Sequence, residues 1–267
     1  MVKQVEKQIK ETIKMYSMLD RQDRIAVALS GGKDSTTCLY ILHKFGYNVE
    51  GLMIDLGLGA WSQQARENMQ EFCSKLNIKF HVIDMKKEFG ASMAFIKSAS
   101  QTGLSGCYIC GIIKKWLLNK KSKELGFDKL VTGHNLDDEC QTVLMNFLKG
   151  NIYLGANSTP VTGKPIKGFV QRVKPLFFIP ENKIRTYSLK EQLPIQREKC
   201  PCSFYSYRIN TREWLNQIGD NDKLKIVKNF QNVIPRLEQK GDVNYCKKCG
   251  EPCRQEICKA CQILQHI

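Results

Sequence analysis

The hydrophobic pattern of this chain alternates between short apolar runs and stretches of helical spacing. Runs of strand length lie at residues 25–29, 49–54, 79–83 and 129–132, and a helical pattern follows each of them. This alternation predicts an α/β fold with a doubly wound parallel sheet and helices on both faces. Ligands of such sheets bind at the carboxyl ends of the strands, so polar residues there are the first candidates for a site.

The remaining pattern divides the chain into four parts. We predict an N-terminal helix at 1–22, a catalytic domain at 23–203, a basic helical segment at 204–243 and a small metal-binding motif at 244–267. Residues 150–180 are rich in Gly, Pro and Thr, which indicates a long loop or lid around the active site. In the basic segment, Tyr205 and Tyr207 are candidates for stacking on RNA bases, with packing between helices as the alternative.

A glycine-rich turn follows the first predicted strand directly. The run from Ser30 to Ser35, Ser-Gly-Gly-Lys-Asp-Ser, leads into a helical pattern that continues to Lys44. Two glycines allow a tight turn whose N–H groups face a ligand, and a helix N-terminus favours anions. Lys33 adds a positive charge, and Asp34 is a candidate Mg²⁺ ligand. The spacing differs from that of a Walker A loop, so we predict a phosphate site of another type.

Composition limits the class of protein. The 267 residues are 42% apolar, and no apolar run is long enough to span a membrane. The first 20 residues lack the apolar segment of a secretory signal, so we predict a cytoplasmic protein that has no membrane partner. The 41 Lys and Arg against 26 Asp and Glu give a net charge of +15. This excess favours a nucleic-acid partner, with general solubility as the alternative explanation.

Twelve cysteines in such a chain indicate metal binding rather than disulfides. Two CxxC pairs near the C-terminus are separated by eight residues, a spacing typical of one structural Zn²⁺ held by Cys246, Cys249, Cys258 and Cys261. So short a tail has no core of its own, and the metal would supply its folding energy. We interpret Cys253 as an extra thiol and His266 as a terminal surface residue.

A second set of cysteines has no second CxxC pair nearby. Cys107 and Cys110 open a helical pattern at 112–125, and a Cys-Pro-Cys run at Cys200 and Cys202 is the candidate source of a third ligand. Three thiolates on a [4Fe–4S] cluster leave one iron with an open position for hydrosulfide or a substrate. A zinc knuckle split along the chain and a thiol–disulfide pair are the alternatives. The other cysteines in apolar surroundings are predicted core residues, namely Cys38, Cys73 and Cys140.

These motifs together carry a family resemblance. The glycine turn resembles the PP-loop of the N-type ATP pyrophosphatases, and the chain resembles the tRNA 2-thiouridine synthetases of the TtuA, archaeal NcsA and eukaryotic cytosolic thiouridylase group. The 2-thiocytidine synthase TtcA is a more distant likeness. The resemblance runs from about residue 24 to 261, with specific blocks at 53–57, 106–111, 133–139 and 200–201. Many members begin with an N-terminal zinc ribbon, whereas the first cysteine here is Cys38.

The resemblance implies roles for individual residues. The ATP phosphates would bind to Ala28, Ser30, Gly31, Gly32, Lys33, Asp34 and Ser35. Ile54 would lie against adenine and Gly133 near the nucleotide, while Lys114 would reach the α-phosphate. Asp138 would be the catalytic carboxylate, acting as a base or as an Mg²⁺ ligand. Apart from the resemblance, we predict that Asp137 caps the helix that follows it. The cluster ligands would be Cys107, Cys110 and Cys200, because the third cysteine of the family stands before a proline.

The resemblance also implies a reaction and its partners. ATP with Mg²⁺ would adenylate O2 of a tRNA uridine, and sulfur would then displace AMP from C2. The alternatives are a cysteine persulfide without a cluster, 2-thiocytidine formation, an RNA-binding nucleotide sensor and an ammonia-dependent synthetase. The sulfur donor would be a ubiquitin-like thiocarboxylate carrier or inorganic sulfide, and a homodimer is a further expectation. The target uridine, wobble or T-loop, stays open.

Overall fold

The computed structural model describes residues 2–162, 166–202, 207–237, 243–265 and 267. Its main sheet contains the strands β1 (Ile25–Leu29), β2 (Val49–Asp55), β3 (Phe80–Asp84), β4 (Lys129–Val131) and β5 (Gln171–Val173). They are parallel and lie in the order β3-β2-β1-β4-β5. Of the residues singled out from the sequence, Tyr205, His266 and the side chain of Tyr207 lie outside this description.

The central strand β1 is covered on both faces and paired on both edges. Ile25 is in register with Val49 on one side and with Lys129 on the other. Ile25 and Val27 have no exposed surface. Such a strand is apolar along its whole length, which is why it could be recognised in the sequence. The predicted parallel, doubly wound sheet is confirmed.

Helices cover both faces of the sheet. One face carries a core built from α1 (Val2–Met15), α2 (Lys33–Lys44), α3 (Ala60–Lys75) and α8 (Glu181–Lys190). The other carries a core that includes α4 (Met85–Phe89), α5 (Met93–Ala99) and α6 (Gly106–Glu124). A smaller core joins α7 (Leu136–Leu148), α9 (Tyr207–Leu215) and α10 (Asp220–Val233), which ends in a 3₁₀ turn at Ile234–Arg236. None of the described helices is both long and apolar enough to cross a membrane.

The N-terminal helix is shorter than the pattern predicted. It ends at Met15, because the chain turns at Ser17 with a left-handed φ of +44°. Its buried face consists of Val5, Ile9, Thr12 and Ile13, and the apolar members pack into the same core as α2 and α8. The four domain ranges given above stay a prediction.

The segment 150–180, predicted as a long loop or lid, has more regular structure and more buried residues than that prediction implied. It contains a 3₁₀ helix at Ile152–Asn157, the strand β5 and a turn whose Leu176, Phe177 and Ile179 are fully buried. A strand of three residues is too short to give a periodic signal. The position of β5 is set by its pairing with β4. Lys129 of β4 lies opposite Gln171 of β5, forty-two residues later in the chain.

A second correction concerns α6, which begins at Gly106 and not near residue 112. Cys107 and Cys110 therefore lie inside its first turns rather than before it. Ser105 is the N-cap residue with extended backbone angles, which is a residue type favoured at helix starts. Helical spacing of i and i+3 places the two thiols on one side of the helix.

The C-terminal tail packs against α6. It forms a short antiparallel pair, β6 (Asn244–Tyr245) and β7 (Pro252–Cys253), followed by α11 (Lys259–Leu264). Ile263 is fully buried, and Asn119 of α6 donates a 2.6 Å hydrogen bond to the buried carboxylate of Glu251. Lys123 forms an ion pair with the same carboxylate. Part of the core of the tail is thus supplied by α6, which the sequence did not indicate.

Candidate nucleotide and cysteine site

The glycine turn between β1 and α2 exposes the start of a helix. Gly31 has a left-handed φ of +76°, and Gly32 is the N-cap residue of α2. The first N–H groups of a helix have no partner within it, so the turn presents donors to an anion. Ser35 Oγ accepts a 3.2 Å hydrogen bond from Ser30 N and donates one of 3.1 Å to Gly32 O, which braces the turn. Half-buried Ala28 lies two residues before it in β1.

Gly133 comes so close to this turn that a side chain would not fit. A Cβ built on Gly133 would lie 2.7 Å from Ser35 N and 2.8 Å from Asp34 C. The loop after β4 and the loop after β1 are therefore in backbone contact. This places Gly133 beside the proposed phosphate site.

Lys33 is held by two carboxylates. Its Nζ lies 2.9 Å from Asp34 Oδ2 and 2.7 Å from Glu181 Oε1. Although burial opposes the charge of Lys33, Asp34 and Glu181 raise its pKa. Glu181 begins α8 and also pairs with Arg212 of α9. Glu181 was missed in the sequence, because no local pattern announces a contact between residues so far apart.

Asp138 belongs to the same charged group. A capping box joins it to Asn135 at the start of α7, and Asn135 Nδ2 donates a 3.1 Å hydrogen bond to Asp34 Oδ1. Arg208 Nη1 lies 3.6 Å from the Asp138 carboxylate. Burial raises the pKa of Asp138, and Arg208 acts in the opposite direction. The carboxyl ends of β1 and β4 thus bring Asp34 and Asp138 together.

Asp137 was predicted to cap the helix that follows it, but it does not. Asn135 takes that position in α7. Asp137 instead accepts a 2.7 Å hydrogen bond from Glu181 N at the start of α8 and pairs with Lys223 Nζ at 2.7 Å. Its role is to join three helices rather than to touch a ligand.

Two further predicted nucleotide residues lie at the end of β2 and in α6. Ile54 is 9% exposed, at the limit of the apolar core, so only one edge of its side chain faces outward. Lys114 is half-buried, and its charge opposes the effect of burial on Cys110, whose pKa is raised. The neighbouring Asp55 accepts a hydrogen bond from Gly57 N and pairs with Arg66 at 3.3 Å, so its carboxylate is already partnered.

The second set of cysteines meets at the start of α6. Cys107 is exposed and Cys110 is buried, and the charges of Cys200 and Cys107 both act on the Cys110 thiol. Cys107 Sγ lies 3.9 Å from the carbonyl oxygen of Cys202. Among the described residues, these thiols do not form a group within 4.8 Å of one another. They are therefore less compact than the four C-terminal cysteines, and three thiols near one another are a donor set that an iron–sulfur cluster can take.

The Cys200 segment is tied to the glycine turn. Gln196 N donates a 2.8 Å hydrogen bond to Gly31 O, four residues before Cys200. Trp61 Nε1 donates a 3.2 Å hydrogen bond to Glu198 O in the same segment. The backbone segment that leads to Cys200 is therefore hydrogen-bonded to the turn of the proposed nucleotide site.

The four C-terminal cysteines have the geometry of a zinc site. The Sγ atoms of Cys246, Cys249, Cys258 and Cys261 all lie within 4.8 Å of one another. Cys249 Sγ and Cys258 Sγ are 3.7 Å apart. A tetrahedral site with Zn–S bonds of about 2.3 Å separates its sulfurs by about 3.8 Å. Cys253 lies outside the group and donates a 2.8 Å hydrogen bond to Gln255 O.

The remaining cysteines are core residues, as predicted. Cys38, Cys73 and Cys140 are all buried with at most 1% of their surface exposed. Burial raises the pKa of Cys73 and of Cys140 to about 11. Thiols of this kind stay protonated and neither attack substrates nor bind metals at neutral pH.

Comparison with known proteins agrees with this site. The PP-loop domain family matches residues 1–198. The tRNA-5-methyluridine(54) 2-sulfurtransferase of Pyrococcus horikoshii is 31% identical over 96% of this chain and 83% of its own length. The tRNA 2-thiolation protein NcsA of Haloferax volcanii is 29% identical over 98% of this chain and 90% of its own.

A solved structure shows the same relationship in three dimensions. The U34-tRNA thiolase NcsA of Methanococcus maripaludis, with its [4Fe-4S] cluster, superposes with a TM-score of 0.84 at 26% identity. The match covers 98% of this chain and 86% of that one. The family resemblance carried by the motifs is confirmed: the chain belongs to the PP-loop family of tRNA 2-sulfurtransferases.

Proposed function

We propose that the chain uses ATP to adenylate O2 of a tRNA uridine and then replaces that oxygen with sulfur, forming 2-thiouridine, AMP and pyrophosphate. The observation that carries the proposal is the hydrogen bond from Gln196 N to Gly31 O. It joins the segment leading to Cys200 to the phosphate turn, so that the activating and sulfur-supplying halves lie side by side.

In the first half-reaction, uridine O2 attacks the α-phosphorus and the bond to pyrophosphate breaks. The N–H groups of the turn, Lys33 and Lys114 offset the negative charge that develops on the phosphate oxygens. Mg²⁺ held by Asp34 would polarise the same oxygens. Ile54 lies against adenine and Gly133 lies near the nucleotide. The other residues that hold the phosphates are Ala28, Ser30, Gly31, Gly32 and Ser35.

In the second half-reaction, sulfur attacks C2 and AMP departs with the original oxygen. A [4Fe–4S] cluster held by Cys107, Cys110 and Cys200 would supply an exchangeable iron position for sulfide. Asp138 orients the pyrimidine, takes the N3 proton that uridine loses when O2 is adenylated, and returns it when the thione forms; burial raises the pKa of Asp138, which favours its role as a base. The base has to leave the tRNA stack to reach this edge of the sheet.

The remaining assignments complete the proposal. Zn²⁺ at Cys246, Cys249, Cys258 and Cys261 is structural. The sulfur donor is a thiocarboxylated ubiquitin-like carrier or inorganic sulfide, and the working unit is a homodimer. We assign the protein to the cytoplasm, which is supported by the name of the Aspergillus niger relative, cytoplasmic tRNA 2-thiolation protein 1, at 28% identity.

The test is anaerobic reconstitution followed by mass spectrometry of tRNA nucleosides. We expect 2-thiouridine to form from tRNA, ATP and sulfide, and Asp138→Asn and Cys200→Ser to abolish it. Cys253→Ser should retain full activity, since Cys253 lies outside both cysteine groups. Equal product from Asp138→Asn and wild type would contradict the assignment.

The same preparations separate the alternatives. A persulfide enzyme would form product without bound iron or acid-labile sulfide. A nucleotide sensor would bind ATP but show no pyrophosphate release stimulated by tRNA. A 2-thiocytidine synthase would modify cytidine, which the same mass spectrum resolves.

A further inference from the structure

A second group of charged residues lies beside the proposed nucleotide site, where α6, β5 and α7 meet. Its cations are Lys115 of α6, Arg172 of β5 and Lys174, which directly follows β5. We call these three residues the α6–β5 cation cluster. Glu139 of α7 lies next to them, and Arg208 of α9 approaches from the other side.

Only part of this positive charge is neutralised. Lys174 Nζ pairs with Glu139 Oε1 at 2.7 Å, and Glu139 also accepts a hydrogen bond from the Ser158 hydroxyl. Arg208 is opposite Asp138. Neither Lys115 nor Arg172 has a carboxylate oxygen within 4.0 Å in the part of the chain that the structure describes.

Backbone contacts hold the two unpaired cations together. Arg172 Nη2 donates a 2.7 Å hydrogen bond to the carbonyl oxygen of Lys115, which fixes the guanidinium against α6. Lys115 is exposed at the surface, but the protein packed around it partly desolvates its ammonium group and lowers its pKa, and Arg172, Lys174 and Arg208 lower it further. The like charges repel one another, so an anion bound between them would be favoured.

The same field acts on a neighbouring histidine. Desolvation by the surrounding protein, and after it the charge of Lys174, lower the pKa of His134 to about 4. The residue is still exposed at one edge, and its ring forms a 2.9 Å hydrogen bond with Thr132 Oγ1. His134 is therefore neutral at pH 7 and adds a polar group rather than another charge.

One side of the cluster reaches the surface, close to the proposed reaction site. Lys115 is exposed, Arg172 is half-buried and Lys174 is buried, and His134 and Arg208 beside them are exposed. Lys115 follows Lys114, whose charge reaches the Cys110 thiol, and His134 follows Gly133, which touches the phosphate turn. The ATP phosphates already have the turn at Ser30–Ser35 as their site, so the cluster is left for another anion.

We propose that Lys115 and Arg172 bind a backbone phosphodiester of the tRNA next to the target nucleotide. This inference rests on the proposed function and names the contact that positions the strand. A phosphodiester carries one negative charge and accepts hydrogen bonds from both side chains. Holding it at the α6–β5 cation cluster fixes the backbone from which the uridine is turned toward Asp138.

The experiment measures tRNA affinity by fluorescence anisotropy over a series of salt concentrations. Lys115→Gln and Arg172→Gln should each weaken binding about tenfold, the loss of one charge-assisted contact. Each should also reduce the slope of log K against log salt by about 1. Lys115→Arg should retain both values, and so should Lys7→Gln, which removes the same charge from the exposed side of α1.

Three outcomes are decisive. Unchanged tRNA affinity and salt slope in Lys115→Gln would overturn the proposal. So would a loss of ATP or pyrophosphate affinity with unchanged tRNA binding, because the cluster would then serve the nucleotide phosphates. If Arg172→Gln proves unstable to heat, Arg172→Lys is measured in its place, because it keeps the positive charge. Wild-type protein that binds tRNA but never thiolates it would refute the proposed function and leave this inference standing.

Discussion

Lys33 and Glu181 form an ion pair that ATP would have to separate under the proposed function. A phosphate oxygen at Lys33 competes with Asp34 and Glu181 for the same ammonium group. Glu181 keeps a second cation in Arg212, so it is not left as an isolated charge when Lys33 turns to the phosphate. Breaking a buried pair without such a substitute costs several kcal/mol. Because Arg212 stays beside Glu181, the free-energy cost of moving Lys33 from Glu181 to a phosphate is lower.

Gly133 gives a sharp prediction at the scale of one residue. In Gly133→Ala the new Cβ would stand 2.7 Å from Ser35 N, so the phosphate turn has to move. We expect ATP affinity to fall by about tenfold or more, as isothermal titration calorimetry would measure, since misplacing a phosphate-binding amide loses a charge-assisted hydrogen bond.

Gly111→Ala is the matched control for that variant. A Cβ at Gly111 meets no atom within 4 Å, and the residue lies inside α6. ATP affinity should stay as in the wild type, and the free energy of unfolding should rise by about 0.5–1 kcal/mol. Normal ATP affinity in Gly133→Ala would show that the turn does not hold the nucleotide.

At the scale of elements, the sequence predicted helices and strands that neighbouring residues determine, but not contacts between residues far apart in the chain. The strand, turn and helix from Ile25 to Lys44 were predicted because neighbouring residues determine them. Strand β5 was missed because its three residues depend on β4 for their place. The contacts of Asp137 were misassigned for the same reason, since its partner Lys223 lies 86 residues away.

The ion pair between Asp137 and Lys223 joins α7 to α10, and both side chains are more than nine-tenths buried. Lys223→Met leaves the carboxylate without its cation. We expect the free energy of unfolding to drop by about 3–5 kcal/mol in urea denaturation. Lys225→Met, two residues along α10, removes a lysine that is 73% exposed and should change it by less than about 1 kcal/mol. Equal losses in the two variants would show that the buried pair carries no special weight.

At the scale of the whole molecule, the C-terminal tail contains the candidate zinc site and also packs against α6. Asn119 Nδ2 binds Gly168 O as well as Glu251, and Val170 N donates to Asn119 Oδ1. One side chain thus connects the tail, α6 and the approach to β5. The fold class and the grouping of the four C-terminal cysteines were predicted from the sequence. The contacts of Asn119 were not, because a single buried Asn produces no sequence pattern.

Zinc content tests this picture. Cys258→Ser should lower the bound zinc from one per chain to none, because four ligands are needed for a closed tetrahedral site. The same variant should make the tail from residue 243 more susceptible to limited proteolysis and lower the melting temperature. Cys253→Ser should keep one zinc, since that thiol bonds to Gln255 instead. One zinc per chain in Cys258→Ser would rule out the four-cysteine site.

The bond between Gln196 N and Gly31 O has a consequence for the spacing of two sites. Gly31 belongs to the phosphate turn, and Gln196 lies four residues before Cys200. The turn therefore cannot shift at Gly31 without either breaking this bond or moving the peptide that leads to Cys200. Under the proposed function, the same bond would fix the spacing between the ATP phosphates and the cysteine site.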